Sequence, residues 1–161
     1  MTKRIRTMPE DSVKFPSRKK PLPVDREAIY RVYFHGPAYR VLEGAKVDGD
    51  TAWGLFSADL PPNAEPPDAA SLVAPRLVEL CFQTAGLWEA SAKERLALPA
   101  GLASVRVFRG EEDAGDSRLW AVAKALDGGA SFDVRVVDEH GSVFVELLGY
   151  RTVALEGRVS L

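Results

Sequence analysis

The chain has 161 residues, of which 46% are hydrophobic and 27% charged, and a net charge of -2, a composition typical of one globular domain. Its single cysteine, Cys81, excludes an internal disulfide, and its two histidines, His35 and His140, lie far apart, so we expect no metal site. No stretch approaches the about 18 apolar residues of a membrane-spanning helix, and no secretory signal is visible. We therefore expect a cytoplasmic protein without a membrane partner.

The N-terminal stretch is basic and contains four prolines. Residues 1–24 hold seven lysines and arginines against two acidic residues, a net charge of +5, so the rest of the chain carries -7. Such an arm can meet nucleic acid or an acidic partner. Its prolines and weak apolar periodicity favour a flexible leader over residues 1–28. Since the three tryptophans are not interleaved with a basic stripe, we expect no nucleic-acid partner.

Regular structure is expected from residue 29 onward, and residues 29–161 are predicted to form one domain. Residues 29–34 are aromatic and β-branched, which is typical of strands. Gly36 and Pro37 then interrupt this pattern as a bend or bulge would.

A hairpin, a loop and one long helix are predicted next. Strands are expected at 39–48 and 51–58, around an Asp-Gly-Asp connection that suits a hairpin. Residues 60–68 contain four prolines and can only be a loop. A helix is predicted from Pro75 to about Lys93, because proline suits a first helical turn and apolar residues follow at helical spacing. The helical positions that carry this pattern are Leu77, Leu80, Cys81, Thr84, Ala85 and Trp88.

Beyond residue 99 the period of the pattern returns to two. Strands are predicted at 102–109, 118–126, 131–138 and 142–155, separated by glycine-containing turns. No helix falls between these strands, which excludes a parallel sheet and indicates an antiparallel one. The predicted fold class is therefore α+β, with an antiparallel sheet wrapped around one long central helix, the hotdog arrangement.

Several short motifs carry a resemblance to a known family. The run Tyr33-Phe34-His35-Gly36-Pro37-Ala38-Tyr39 resembles the Tyr-x-Tyr-Gly-Pro-x-Phe motif of polyketide synthase dehydratase domains, in the second of their two fused hotdogs. The helix run Glu79-Leu80-Cys81-Phe82-Gln83 is similar to the Asp-x-x-x-Gln motif of that half. Leu98-Pro99 falls where the family has Leu-Pro-Phe, and residues 132–153 are similar to its closing hairpin. The resemblance therefore points to the C-terminal hotdog half, which lacks the catalytic histidine.

The resemblance also implies an activity. Such hydro-lyases remove water from a β-hydroxyacyl thioester on an acyl carrier protein, with a base for the α-proton and an acid for the hydroxyl. No cofactor is implied, because the substrate arrives on phosphopantetheine or CoA. The implied partners are an acyl carrier protein, which the basic leader would attract, and another hotdog domain. The implied catalytic residues are Glu79 and His35, and the implied substrate-binding residues are Gln83, Tyr33, Gly36, Pro37 and Tyr39.

The chain departs from the family pattern at three points. The first hotdog, with its His-x-x-x-Gly-x-x-x-x-Pro motif, is absent, so the site is predicted to be incomplete without a histidine-bearing partner. His35 replaces a tyrosine of the motif. Glu79 replaces an aspartate and displaces the carboxylate by about an ångström, which can lower a rate on the order of a hundredfold.

Two other interpretations stay open. Glu79 and Gln83 lie four residues apart on one helix face, which is also typical of an ordinary polar pair. For a histidine such as His35, a structural role is the commoner outcome. The chain can also be a stand-alone homodimeric hotdog, because a sheet edge or face can be covered by a symmetric copy. Such a dimer would be a thioesterase or hydratase, or a module that binds an acyl chain or carrier protein without turnover.

Overall fold

The computed structural model describes residues 14–69 and 71–161. Eight strands form one sheet in the order β1-β2-β3-β6-β7-β8-β4, and β5 also pairs with β8. Each pair of neighbouring strands is antiparallel. The elements are β1 (Val24–Asp25), α1 (Arg26–Val32), β2 (Leu42–Asp48), β3 (Thr51–Phe56), α2 (Pro75–Lys93), β4 (Ala97–Gly101), β5 (Ser104–Val107), β6 (Leu119–Leu126), β7 (Ser131–Asp138) and β8 (Val143–Ala154).

Helix α2 is the centre of the fold. It packs against β2, β3, β6 and β7, and its apolar face is buried in the main hydrophobic cluster. Pro75 occupies the first helical turn, where its missing N–H leaves no hydrogen bond unmade. The predicted arrangement of an antiparallel sheet around one long helix is confirmed, and the helix has the predicted bounds. No helix in the described part of the chain is long and apolar enough to cross a membrane.

The helix approaches the sheet closely at Gly54 of β3. A Cβ atom at this position would lie 2.6 Å from Cδ2 of Leu42 and closer still to Oγ1 of Thr84 on α2. Leu42 and Thr84 are both fully buried. Because the surrounding core is closely packed, neither side chain can move aside without displacing its neighbours. Glycine at position 54 therefore sets the distance between helix and sheet.

The N-terminal segment differs most from its sequence pattern. Residues 29–34 have the composition of a strand, yet the structure places helix α1 at Arg26–Val32. Asp25 caps this helix by accepting a hydrogen bond from the backbone N–H of Ala28 at 2.8 Å. The tertiary fold overrides the β preference of these residues, because the helix turns Ile29 into the core.

The region after α2 also differs from the prediction. The strand expected at 102–109 is present as the shorter β5, but β4, which precedes it, was not predicted, and the two pair with different stretches of β8. Pro99 lies within β4, at the edge of the sheet, where a strand tolerates a residue without an N–H. The later strands β6, β7 and β8 match the predicted ranges to within one residue at each end.

Part of the predicted leader contacts the sheet. Phe15 packs near Trp120, with ring centroids 6.2 Å apart, and Leu22 joins the same small apolar cluster. The guanidinium of Arg18 pairs with Glu139, and together with Arg118 it lowers the pKa of the Glu139 carboxyl. Residues 1–13, which make up the rest of the predicted basic leader, lie outside the described residues.

We predict that Gly54→Ala destabilises the protein by about 1–3 kcal/mol, because the new methyl group overpacks the contact between helix and sheet. Chemical denaturation measured by circular dichroism gives the difference in unfolding free energy. Adding Thr84→Ala should recover part of the loss, since it removes the nearest atom. Equal stability of Gly54→Ala and the unaltered protein would contradict this description of the packing.

Candidate functional site

Glu79 lies at the centre of a polar group on one side of α2. Its Oε1 is 2.9 Å from Nε2 of His35, and the same oxygen accepts a hydrogen bond from Nε2 of Gln83 at 3.0 Å. The side chains of His35 and Glu79 are 28% and 24% exposed, so both can be reached from solvent. The structure therefore brings together the two residues predicted to be catalytic and the helix glutamine.

The Gln83 side chain is held by three hydrogen bonds. Its Nε2 donates to Glu79 and, at 2.8 Å, to the backbone carbonyl of Tyr39. Its Oε1 accepts a 2.7 Å hydrogen bond from the hydroxyl of Tyr30. The hydroxyl of Tyr33 donates at 2.9 Å to the backbone carbonyl of Gln83. Three tyrosines from the N-terminal segment thus converge on one helix residue.

The aromatic surroundings of His35 restrict its ring. It lies edge to face with Tyr33, at 5.4 Å between centroids, and is stacked on Phe34 at 6.0 Å. Its Nδ1 is buried and has no hydrogen-bond partner among the described residues. With Nε2 directed at Glu79, the ring can exchange a proton with that carboxylate through this nitrogen.

The neighbouring phenols stay protonated at neutral pH. Burial is the main cause that raises the pKa of Tyr30 to about 12, and burial also raises the pKa values of Tyr33 and Tyr150. An apolar environment disfavours the charged phenolate, so each group remains a hydrogen-bond donor. These tyrosines are therefore suited to fix the positions of other side chains.

Glu79 opens onto a cavity of about 620 Å³. Among the lining residues that the structure describes, Glu79 is the only charged one. The lining residues are Tyr39, Leu72, Val73, Pro75, Val78, Glu79, Phe82, Val105 and Val107. An apolar cavity with one carboxylate at its edge is suited to a chain-like apolar ligand with a polar reacting end. The sequence pattern did not indicate the valines of β5 or Val78 and Phe82 as lining residues.

The remaining predicted binding residues lie at the edge of this site. Gly36 and Pro37 begin a short 3-10 turn that ends at Tyr39. Tyr39 is in the cavity lining, whereas Gly36 and Pro37 are not. Tyr33 contacts α2 through its hydroxyl. The sequence analysis missed Tyr30, which lies on α1 three residues before Tyr33, the residue that caps the C-terminus of this helix.

Other reactive groups do not contribute to the site. His140 lies in the turn between β7 and β8, where its backbone N–H is bound by Asp138. Cys81 is fully buried, and burial raises the pKa of its thiol. No group of three or more His, Cys, Asp or Glu residues within the described ranges is placed to hold a metal ion.

A profile of the family described as "Polyketide synthase dehydratase N-terminal domain" matches residues 13–161. This match extends over nearly the whole chain and includes the site residues. It refers to the N-terminal domain, so it gives no support to the predicted assignment to the C-terminal half.

Three solved structures illustrate the structural similarity. The dehydratase domain from the CurF module of the curacin polyketide synthase is 22% identical, with a TM-score of 0.63 and coverage of 82% of this chain and 48% of that one. The corresponding domain from the CurK module is 18% identical, with a TM-score of 0.65 and coverages of 83% and 48%. The dehydratase domain of PpsC from Mycobacterium tuberculosis, in complex with C12:1-CoA, is 21% identical, with a TM-score of 0.61 and coverages of 84% and 56%.

These similarities establish that the fold is a hotdog like those of the dehydratase domains. The chain spans about half the length of the solved structures that it matches.

We predict that Cys81 in the folded protein reacts with a thiol reagent at least roughly a hundredfold more slowly than in the denatured protein, because it is buried and protonated. Since it is the only cysteine, the absorbance of released thionitrobenzoate reports on this residue alone. The same reaction in guanidinium chloride provides the control. Fast labelling under native conditions would restore Cys81 as a candidate nucleophile.

Proposed function

Because the chain belongs to the polyketide synthase dehydratase family, we propose that it acts as a hydro-lyase on β-hydroxyacyl thioesters. In this proposal, Glu79 and His35 are the acid and base, and Gln83 orients Glu79. The thioester is carried on the phosphopantetheine of an acyl carrier protein or on CoA, and the apolar cavity receives the acyl chain. The chemistry needs only protein side chains and a substrate that brings its own carrier arm, and we place it in the cytoplasm.

One observation supports this proposal above all others. The Glu79 carboxylate lines an apolar cavity of about 620 Å³ and lies 2.9 Å from the His35 imidazole, and both side chains are partly exposed. Dehydration needs an acid and a base that reach adjacent carbons of the substrate at the same time. A pair of titratable groups beside an apolar cavity is suited to that task.

The proposed reaction can be written with its protons balanced. His35 Nε2 removes the α-proton of the thioester while the Glu79 carboxyl gives its proton to the departing β-hydroxyl. The Cβ–O bond breaks, a double bond forms between Cα and Cβ, and water leaves. The pair is then an imidazolium and a carboxylate. Transfer of one proton from His35 Nε2 to Glu79 Oε1, across a separation of 2.9 Å, restores the starting state.

A second hotdog domain is proposed as a partner. Leu72 and Val73 of the cavity lining are 93% and 62% exposed, and Phe34, which is stacked on His35, is 78% exposed. Exposed apolar patches of this kind are typical of interaction sites. We propose that a second hotdog covers this rim, defined as Phe34, Leu72 and Val73. We also propose that the chain serves as the C-terminal type of half, because its site residues come from the Tyr-Gly-Pro and helix motifs of that half.

An incomplete half-site is the second candidate. In it, the histidine of a partner hotdog supplies the base, and His35 only positions Glu79. The absence of the His-x-x-x-Gly-x-x-x-x-Pro motif from this chain favours this candidate. The two candidates differ in whether the chain alone turns over substrate.

We predict that the purified chain interconverts a short β-hydroxyacyl thioester and its α,β-unsaturated product. Glu79→Gln and His35→Phe should each lower the rate by about 10²–10⁴-fold, because each removes one of the two proton-transfer groups. Ultraviolet absorbance of the enoyl thioester measures the interconversion, and released thiol is monitored in parallel.

Matched variants test whether the effect is local. Glu27→Gln changes an exposed glutamate on α1 and His140→Phe an exposed histidine in a turn, and both should retain full activity. Thiol release without hydration would indicate a thioesterase. A chain without turnover that gains activity only with a histidine-bearing hotdog would support the half-site, and binding without turnover would support a carrier module.

We predict that the double variant Leu72→Ser/Val73→Ser weakens self-association at least about tenfold, because it removes apolar area from the rim. Sedimentation velocity over a range of concentrations measures the dimerisation constant. Val153→Ser, which alters an exposed valine in β8 paired with β4, is the control. If the unaltered chain is monomeric at every concentration, a second copy is not the occupant of the rim.

A further inference from the structure

We propose that Tyr30, a residue outside the family motifs, is the positioning residue that holds Gln83 and, through it, the Glu79 carboxylate. This inference rests on the proposed role of Glu79 in catalysis. Tyr30 does not line the cavity, so it acts through Gln83 and does not itself contact the substrate.

Each group in the series Leu42, Tyr30, Gln83 and Glu79 can be assigned as a donor or an acceptor from its chemistry. The backbone N–H of Leu42 donates to the Tyr30 hydroxyl oxygen at 2.9 Å, so the hydroxyl proton points the other way. It is donated to Oε1 of Gln83 at 2.7 Å. The Gln83 amide therefore presents its NH₂ group to Tyr39 and Glu79, where it meets two acceptors at 2.8 and 3.0 Å. With the reverse orientation, the amide oxygen would face a carbonyl and a carboxylate.

Gln83 has little freedom while Tyr30 is present. The glutamine is only 3% exposed, so water cannot readily replace a lost hydrogen bond. The Tyr30 hydroxyl is the donor recorded for its Oε1 among the described residues. Without that donor the buried amide oxygen of Gln83 is unsatisfied. This cost destabilises the present orientation of the amide relative to orientations that turn it away from Glu79.

Two arginines hold the ring of Tyr30. The guanidinium carbons of Arg26 and Arg40 lie 5.4 and 5.6 Å from its centroid, within the range of cation–π contacts. Arg26 also donates to the carbonyl of Leu42, and Nε of Arg40 donates at 3.0 Å to the backbone carbonyl of His35. Arg40 thus connects the ring that positions Gln83 with the backbone of the second catalytic residue.

Tyr33 offers a matched control within the same site. Its hydroxyl also bonds to Gln83, but to the backbone carbonyl, and its ring also packs beside His35. Tyr33→Phe therefore removes a hydroxyl that binds Gln83, as Tyr30→Phe does, but it leaves the hydrogen-bond partners of the Gln83 side-chain amide unchanged. A purely structural contribution of buried phenols would affect both variants alike.

The test compares Tyr30→Phe with Tyr33→Phe in the full chain by two measurements. Kinetics with a β-hydroxyacyl thioester should give a kcat about tenfold lower for Tyr30→Phe, with KM within about threefold, since a misplaced carboxylate slows the chemical step. Hydrogen exchange of the Gln83 side-chain NH₂, followed in ¹H–¹⁵N spectra and assigned with Gln83→Met, should accelerate in Tyr30→Phe. Tyr33→Phe should leave the exchange rate near its original value, and Ser57→Ala, which removes a buried hydroxyl bonded to Glu43 outside the site, should leave kcat near its original value.

A loss of kcat in Ser57→Ala equal to that in Tyr30→Phe, or an unchanged exchange rate in Tyr30→Phe, would overturn the positioning role. The exchange measurement needs no turnover. If the unaltered chain has no hydro-lyase activity, the proposed function fails. Faster exchange in Tyr30→Phe, but not in Tyr33→Phe, would still show that Tyr30 positions the Gln83 amide.

Discussion

The burial of helix α2 within the curve of the sheet is the constraint on which the other features depend. A helix covered on most sides must pair the charged side chains that it carries or leave them at uncovered positions, because an unpaired buried charge is costly. The two glutamates of α2 show one case each: Glu89 is paired and Glu79 is left partly uncovered. Glu89 is fully buried and is paired with Arg95 at 2.9 Å and with the hydroxyl of Thr152. Glu79 is partly exposed and faces the cavity.

The N-terminal segment is hydrogen-bonded to Gln83 of this helix. Tyr30, Tyr33 and the carbonyl of Tyr39 each contribute one hydrogen bond to Gln83. A single polar residue on the helix thereby connects α1 and the following turn to the core. The segment that delivers His35 to Glu79 is thus the one that fixes the helix glutamine, so the position of the imidazole and that of the carboxylate are coupled.

The parts of the fold predicted from sequence are those with a long, unambiguous period. The spacing of apolar residues in α2 fits only a helix, and the alternation of apolar residues in β6 and β7 fits only a strand. Helix α1 has only seven residues, several of them aromatic or β-branched, so local preference gave the wrong answer. Asp25 was the residue that could have indicated the start of α1. Aspartate is common at the N-cap of a helix, where its side chain accepts a hydrogen bond from the backbone N–H three residues later. Strand β4 was missed because proline seldom occurs within strands.

For the site, helical spacing predicts that Glu79 and Gln83 share a face, since residues four apart are neighbours on a helix. No local pattern predicts that His35 lies beside Glu79, because the two are 44 residues apart in sequence and only the tertiary fold joins them. Tyr30 was missed for the same reason as α1. In an extended segment Tyr30 and Tyr33 would point to opposite faces, whereas the helical turn that ends at Tyr33 lets both hydroxyls reach Gln83.

Two of the departures from the family motifs meet in space, which changes how each is interpreted. Taken singly, the extra methylene of Glu79 displaces a carboxylate, and histidine in place of the motif tyrosine removes a phenol. In the structure the longer side chain brings its oxygen to 2.9 Å from Nε2 of His35, while Gln83 holds the same oxygen. The two replaced residues are therefore direct neighbours, and the effect of one on the site depends on the other. In the proposed assignment the acid and the base both come from this chain, so the proposed second hotdog covers the apolar rim and does not supply a histidine.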